Sequence, residues 1–327
     1  MQELLISLLR SAIVVAFLMT MMPYMTWFER RVLASMQVRQ GPNRVGWQGL
    51  LQPLADGLKL LFKEDLLPAA SDRRLYRLAP AIALFAALAS YAVIPFGPDI
   101  TIDQRAVPLC VADLDIGVLY LLGVSSLGVY ALVLGGWSSG SKYSLIGALR
   151  AAAQVVSYEL VLGLALIAVV MTAGSTRLSD IVHRQQHGVP FLLLQPVAFA
   201  LYLVAACAET NRAPFDLPEA ETELVAGYHT EYSGMRFALY FIAEYINMLV
   251  VSSLAATLFL GGWSGPFWPG PWWLVLKVML FMFVFVWLRA TLPRLRYDQL
   301  MRLSWNNLLP LGLLNLAVTA VIVAATR

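Results

Sequence analysis

Eight apolar stretches of roughly twenty residues punctuate this chain: 5–27, 78–97, 114–136, 150–173, 190–208, 237–260, 271–289 and 305–325. A hydrocarbon core about 30 Å thick is crossed by roughly 20 helical residues. Within lipid a helix satisfies its own backbone polar groups. The expected fold is therefore all-α: a polytopic membrane protein, with residues 1–327 forming one integral membrane domain. Composition excludes a soluble globule. The chain is 59% apolar and 13% charged over 327 residues, about half the charge a soluble domain carries on its surface. The first stretch reads as a retained helix. Its apolar run is too long for a cleaved signal, Glu3 and Arg10 flank its start, and no A-x-A site follows. The spacing shows no internal repeat and gives no support to an inverted-repeat transporter.

Lysine and arginine set the orientation. The loops after the first, third, fifth and seventh stretches, with their flanking residues, carry 17 of them, against 3 in the other three loops. The positive-inside rule places the first set, including loops 28–77 and 209–236, in the cytoplasm and both termini on the outer, periplasmic side. Cys110 and Cys207 stand far apart, and His183, His187 and His229 show no ligand spacing with them. A zinc finger, an iron–sulfur carrier and a disulfide scaffold are excluded on that spacing, and no metal site is expected. No phosphate-binding loop or nucleophile motif is present.

Loop 28–77 is more than a connector. Gly41, Pro42 and Asn43 mark a turn. Beyond it Trp47, Leu50, Leu51, Leu54, Leu58, Leu61 and Phe62 recur at helical spacing, with Asp56, Lys59 and Lys63 on the opposite face. The pattern predicts an amphipathic helix in the cytoplasmic interface. It either packs on its own bundle or forms one wall of a slot facing a partner.

Loop 209–236 is rich in acids: Glu209, Asp216, Glu219, Glu221, Glu223 and Glu231, with Arg212 among them. Pro214 and Pro218 forbid a helix through its start, and a helix can begin at Pro218. One or two of these carboxylates fit a helix N-terminus. Glu219, Glu221 and Glu223 at alternate positions do not, because Glu219 and Glu223 repel. Crowded carboxylates raise one another's pKa and share protons. Two more acids, Glu159 and Glu244, lie inside apolar stretches, on the order of 10–15 Å deep. An ionised side chain there costs about 3 kcal/mol. No basic residue stands within one helical turn of either. They read as structural, protonated acids or as parts of a proton-linked site. Neighbouring Tyr158 and Tyr245 are candidates for the same hydrogen-bonded network. The segment 289–305, RATLPRLRYDQLMRLSW, brings four arginines to the cytoplasmic face, for lipid anchoring or for docking. Nucleic-acid binding is not supported. From residues alone, something proton-linked is expected, with any redox centre on a partner.

The segments ERRVLASMQVRQGPNRVGWQGLLQPLADGLKLLFKED (29–65) and AETNRAPFDLPEAETELVAGYHTEYSGMRFALYFIAEY (208–245) resemble the two signatures of the H-subunit family of proton-pumping NADH–quinone oxidoreductase, respiratory complex I. Its mitochondrial counterpart is NADH dehydrogenase subunit 1. RAAAQVVSYEL (150–160) and RATLPRLRYDQLM (289–301) match too, so the resemblance spans essentially the whole chain. It implies a subunit of the cell inner (plasma) membrane that joins the membrane arm to the peripheral arm. Quinone would enter from lipid between the first and sixth helices and the amphipathic segment. The resemblance implies that Arg30, Arg39, Asp56 and Lys59 line the tunnel or its entrance. It implies an acidic path of Glu29, Glu159, Glu209, Asp216, Glu219, Glu221, Glu223 and Glu244. Arg212, Tyr245, Arg289, Arg294 and Arg296 would support it. NADH, FMN and the iron–sulfur clusters would sit on partner subunits. This chain would bind no cofactor of its own and have no complete activity alone. Two alternatives are the membrane anchor of an energy-converting hydrogenase and a stand-alone proton-coupled transporter using Glu159 and Glu244.

Overall fold

The computed structural model describes residues 2–102, 105–186, 188–217 and 225–326. Helix α1 runs Gln2–Met36, α2 is Gln52–Phe62 and α3 is Arg73–Ser90. A hairpin of two three-residue strands, Ile100–Ile102 and Arg105–Val107, interrupts an otherwise helical chain. Then come α4 (Gly117–Ser125), α5 (Leu127–Ser138), α6 (Lys142–Ala173), α7 (Leu178–Gln186), α8 (Phe191–Leu194) and α9 (Pro196–Glu209). After the acidic loop follow α10 (Gly234–Phe259), α11 (Pro271–Thr291), α12 (Tyr297–Arg302) and, through a π-helical stretch at Leu303–Leu308, α13 (Leu309–Thr326).

Seven helices among the described residues are long and apolar enough to cross a membrane. The remaining expected stretch, 190–208, is apolar but is not one continuous helix. Pro196 lacks an N–H and disfavours helical geometry at the residue before it. Gln195 accordingly adopts φ −131°, ψ 56°, and splits the stretch into α8 and the 14-residue α9. At 1.5 Å per residue α9 alone rises about 21 Å, and with α8 before it the broken stretch stays within reach of a crossing. The 114–136 stretch, by contrast, keeps helical dihedrals through Ser126 (φ −62°, ψ −21°), where α4 runs into α5 as one span.

Boundaries shift in a way that matters for the site. The first helix extends to Met36, so Glu29, Arg30 and Arg31 stand on its last turns and not in a loop. The fourth predicted helix starts at Lys142 and puts Gln154 well inside α6. Much of the 289–305 segment is helical, and at the start of α12 the Gln299 side chain accepts from the Arg296 backbone N–H at 3.2 Å. The helix expected after Pro218, and Glu219, Glu221 and Glu223 with it, lie outside the described residues.

The core is a close bundle. α3 packs on α5 and α10, and α6 packs on α5, α9 and α13. Asp72 starts α3 by accepting from the backbone N–H groups of Arg74 (3.0 Å) and Leu75 (3.3 Å). Gly174, at φ 70°, ends α6 in the left-handed conformation that glycine adopts without penalty. Gly147 lets α6 approach the turn at 227–229: a Cβ there would lie 2.8 Å from the Gly227 Cα.

Helix α2 shows why the interfacial pattern exists. No residue of it is buried, and Leu54, Leu58, Leu61 and Phe62 are exposed. Its apolar face is turned away from the bundle, so packing on its own protein does not explain the pattern. The geometry fits a helix lying at a membrane surface.

Candidate functional site

Four charged side chains from four separate segments form a continuous chain. Arg289, at the end of α11, pairs with the Glu29 carboxylate of α1. Arg212, from the loop after α9, approaches the same Glu29 oxygen at 3.3 Å. Its Nε lies 2.6 Å from Glu244 of α10. The Tyr245 hydroxyl donates to the other Glu29 oxygen at 2.5 Å, and the Arg212 guanidinium stacks over the Tyr245 ring at 4.5 Å. Glu29 is 4% and Arg212 6% exposed. Burying such charges costs several kcal/mol per ion unless partners offset it. Here each carboxylate faces an arginine, and the alternation of signs makes the cluster nearly neutral. Burial opposes the charge on Arg212, but Glu244, Tyr245 and Glu29 outweigh it and hold the guanidinium well above its ordinary pKa.

The absence of a local basic partner for Glu244 is thus corrected by the fold, which supplies Arg212 from a loop. Tyr245 bonds Glu29. Tyr158 turns away from Glu159 and donates to the Leu300 carbonyl at 3.0 Å.

Glu244 also lines a small cavity of about 70 Å³, with Glu209, Asn211, Tyr228, Tyr240 and Asn247. That volume holds several waters, given about 10–15 Å³ each by the same measure. Glu159 lies within electrostatic reach of Glu209, and the hydroxyls of Ser125 and Ser126 face Glu209 and Glu159 respectively. His229 packs edge-on against Tyr228, and burial pushes its pKa down to about 4, leaving it neutral at pH 7.

A second, larger cavity of about 410 Å³ lies between α1, α2 and α10. Its wall is mostly apolar, with Met19, Met22 and Phe241 among the lining residues and Arg30, Asp56 and Lys59 supplying charge. Arg30 donates to Asp56 at 2.6 Å, and Gln52 donates to the other Asp56 oxygen at 3.1 Å. Arg39 does not line this cavity. It is exposed on the loop beyond α1, bonded to Gln37 at 2.7 Å. Of the remaining arginines, Arg294 pairs with Asp216 at 2.8 Å and Arg296 with Asp298 at 3.3 Å. The two cavities are linked by sequence and charge: Arg30 faces the larger one, its neighbour Glu29 meets Arg212, and Arg212 meets Glu244 in the smaller.

Residue-level reading missed several members of this region. Gln154, fully buried on α6, donates to the Ala208 and Phe215 carbonyls at 2.8 and 2.7 Å. Asn211, Tyr228, Tyr240 and Asn247 line the acidic cavity without any charge to flag them. A polar residue inside an otherwise apolar helix was the available signal for Gln154 and Asn247.

A multi-pass helical bundle that holds a chain of ion pairs beside two cavities is an integral membrane protein with charge kept inside its fold. The comparisons are specific about which. The family model described as NADH dehydrogenase matches residues 9–320. The H subunit of NADH-quinone oxidoreductase from Thermomicrobium roseum is 58% identical, over 98% of this chain and 97% of that protein. The H subunit of the same enzyme from Syntrophotalea carbinolica, and the first of the numbered H subunits from Geobacter metallireducens, are each 54% identical, over 97% of this chain and 96% of theirs. The chain belongs to the family of NADH-quinone oxidoreductase H subunits, whose members are membrane subunits of an oxidoreductase complex.

Proposed function

We propose that this chain is the subunit of the complex that admits quinone and couples its reduction to proton translocation. One observation carries the reading: the chain Arg289–Glu29–Arg212–Glu244, buried at Glu29 and Arg212, starts beside Arg30, which lines the larger cavity, and ends at Glu244 among the acids of the smaller one. The larger cavity takes an apolar molecule with a polar head. Methionines and Phe241 suit an apolar tail, and Arg30, Asp56 and Lys59 offer donors and an acceptor to a carbonyl-bearing ring. Electrons come from clusters on partner subunits, which also carry NADH and FMN chemistry. Each quinone gains two electrons and two protons, giving the quinol. Reduction and proton uptake by a quinone held beside Asp56 and Arg30 change the local charge. In a low-dielectric interior that change is felt strongly at Glu29, and through Arg212 at Glu244 and Glu209.

The names of the relatives support the quinone branch over a hydrogenase anchor. The 17-to-3 distribution of basic residues supports a cytoplasmic placement of 28–77 and 209–236, in a cell inner membrane with both termini outside. Arg39, exposed beside the cavity, suits contact with a partner subunit better than contact with quinone.

Asp56→Asn keeps the shape of the side chain and removes its charge. In membranes with the assembled complex, the expected result is a fall in NADH–quinone activity of about tenfold, as for loss of a positioned polar group. Electron transfer from NADH to ferricyanide should persist. Unchanged quinone kinetics would remove Asp56, and with it this cavity, from the reaction.

A further inference from the structure

We infer that Gln154 is the positioning residue for Arg212, the guanidinium that joins the two cavities; the inference rests on the function proposed above. Arg212 lies on the short loop after α9, between Ala208 and Phe215. Gln154 reaches from α6 and clips that loop at both ends, donating to the Ala208 carbonyl at 2.8 Å and the Phe215 carbonyl at 2.7 Å. A third, longer contact of 3.3 Å reaches the Asn211 Oδ1. Asn211 itself sits at φ 53°, an uncommon conformation for a residue with a side chain, so the loop has a shape that needs support.

The backbone does not need this clip to be satisfied. The Ala208 carbonyl already accepts from the Asn211 N–H at 3.2 Å, and the Phe215 carbonyl from the Leu217 N–H at 3.0 Å. Both acceptors would keep a partner without Gln154. The Gln154 Oε1 is buried and has no hydrogen-bond partner among the described residues. A buried acceptor of that kind is destabilising. A glutamine kept for stability alone would be better replaced by an apolar side chain of the same length. What only the amide achieves is a fixed span between the two loop ends. That span sets where Arg212 stands relative to Glu29, at 3.3 Å, and Glu244, at 2.6 Å. A small displacement of the loop would weaken one contact in favour of the other and break the continuity between the cavities.

Gln154→Met keeps the volume and removes both donors. Gln154→Asn keeps both donors but is one methylene too short to span the carbonyls. Each is made alone and together with Arg212→Lys, which keeps the charge and loses the forked geometry. Quinone reduction, ferricyanide reduction and protons translocated per electron are measured in membranes with complex content checked by immunoblot. The expected result is assembled complex, intact ferricyanide activity, and quinone turnover lowered about tenfold in each Gln154 variant. Adding either to Arg212→Lys should lower turnover no further, because both changes act through one guanidinium. Independent, multiplicative losses would overturn the inference, as would wild-type turnover in the Gln154 variants. Failure of both Gln154 variants to assemble would also overturn it, in favour of a structural role. If Arg212→Lys itself turns over and pumps like the wild type, the proposed coupling falls instead.

Discussion

At the scale of single residues, pairing decides which charges the bundle tolerates. Glu29 and Arg212 come from positions 183 residues apart, and no local pattern links them. The acids themselves were legible, because an acid within an apolar run is conspicuous. Their partners Arg212 and Arg289 were given a role through the family resemblance alone, because which group pairs with which depends on how α1, α10 and the loop after α9 meet. Gln154 was hidden for the same reason: its role is defined by two carbonyls that are distant in sequence. The opposite end of the molecule offers a test of the same logic with groups outside the spans. Arg177 donates twice to Asp113, through Nε at 2.9 Å and through a second nitrogen, and Ser179 donates to it at 2.8 Å. Burial works against the Asp113 carboxylate, but these bonds outweigh it and hold its pKa below the ordinary value. A depressed pKa stabilises the fold above the unfolded-state value, about 3.9, and the stabilisation is lost as pH falls through that value and below. The clamp holds the 108–117 segment against Thr176, whose carbonyl accepts from the Val118 N–H at 3.1 Å. Hydrogen exchange of the Val118 amide, corrected for intrinsic rate, should show protection at pH 7 that declines toward pH 3.5. Asp113→Asn should show the low value at both. Equal protection of both proteins at pH 7 would exclude the clamp.

Among the elements, helix existence followed from hydropathy, whereas helix ends and breaks followed from packing. Charge at 28–31 signalled a loop by its sequence alone. In the fold Glu29 meets Arg212 and Arg289, Arg30 meets Asp56 of α2, Arg31 donates to the Gln48 carbonyl at 2.9 Å, and α1 continues to Met36. The break at Gln195 was legible in principle from Pro196, although total apolarity masked it. Helix α2 was legible because its two faces differ in chemistry. The close approach of α6 to the 227–229 turn was not, since a glycine in an apolar stretch has many uses. Gly147→Val tests that approach. Its added carbons would meet Gly227 and the Tyr228 nitrogen, at 2.8 and 2.9 Å from the Cβ alone. Overpacking of this kind costs typically about 1–3 kcal/mol. The expected outcome is reduced subunit content in membranes, with the turn beside Tyr228 and His229 displaced. Wild-type content and turnover would show that the turn yields freely.

For the whole molecule, the orientation and the charge continuity proposed above are both measurable in the assembled complex. Cys110 and Cys207 are buried, and burial pushes the Cys110 thiol up to about 12, so the native background should be quiet toward maleimides. Asn43→Cys on the exposed loop should be labelled from the cytoplasmic side alone, and Asp115→Cys from the outer side alone. The reverse pattern would invert the topology. The continuity of charge is read most directly through Glu244→Gln, which preserves shape at the junction of Arg212 and the acidic cavity but cannot ionise. The measurement is protons translocated per quinone reduced, in membranes with wild-type complex content. A coupled chain requires that quinone turnover, proton translocation or both fall in this variant while ferricyanide reduction is unchanged. Full quinone reduction with wild-type proton stoichiometry would contradict the role assigned to the Arg289–Glu29–Arg212–Glu244 chain.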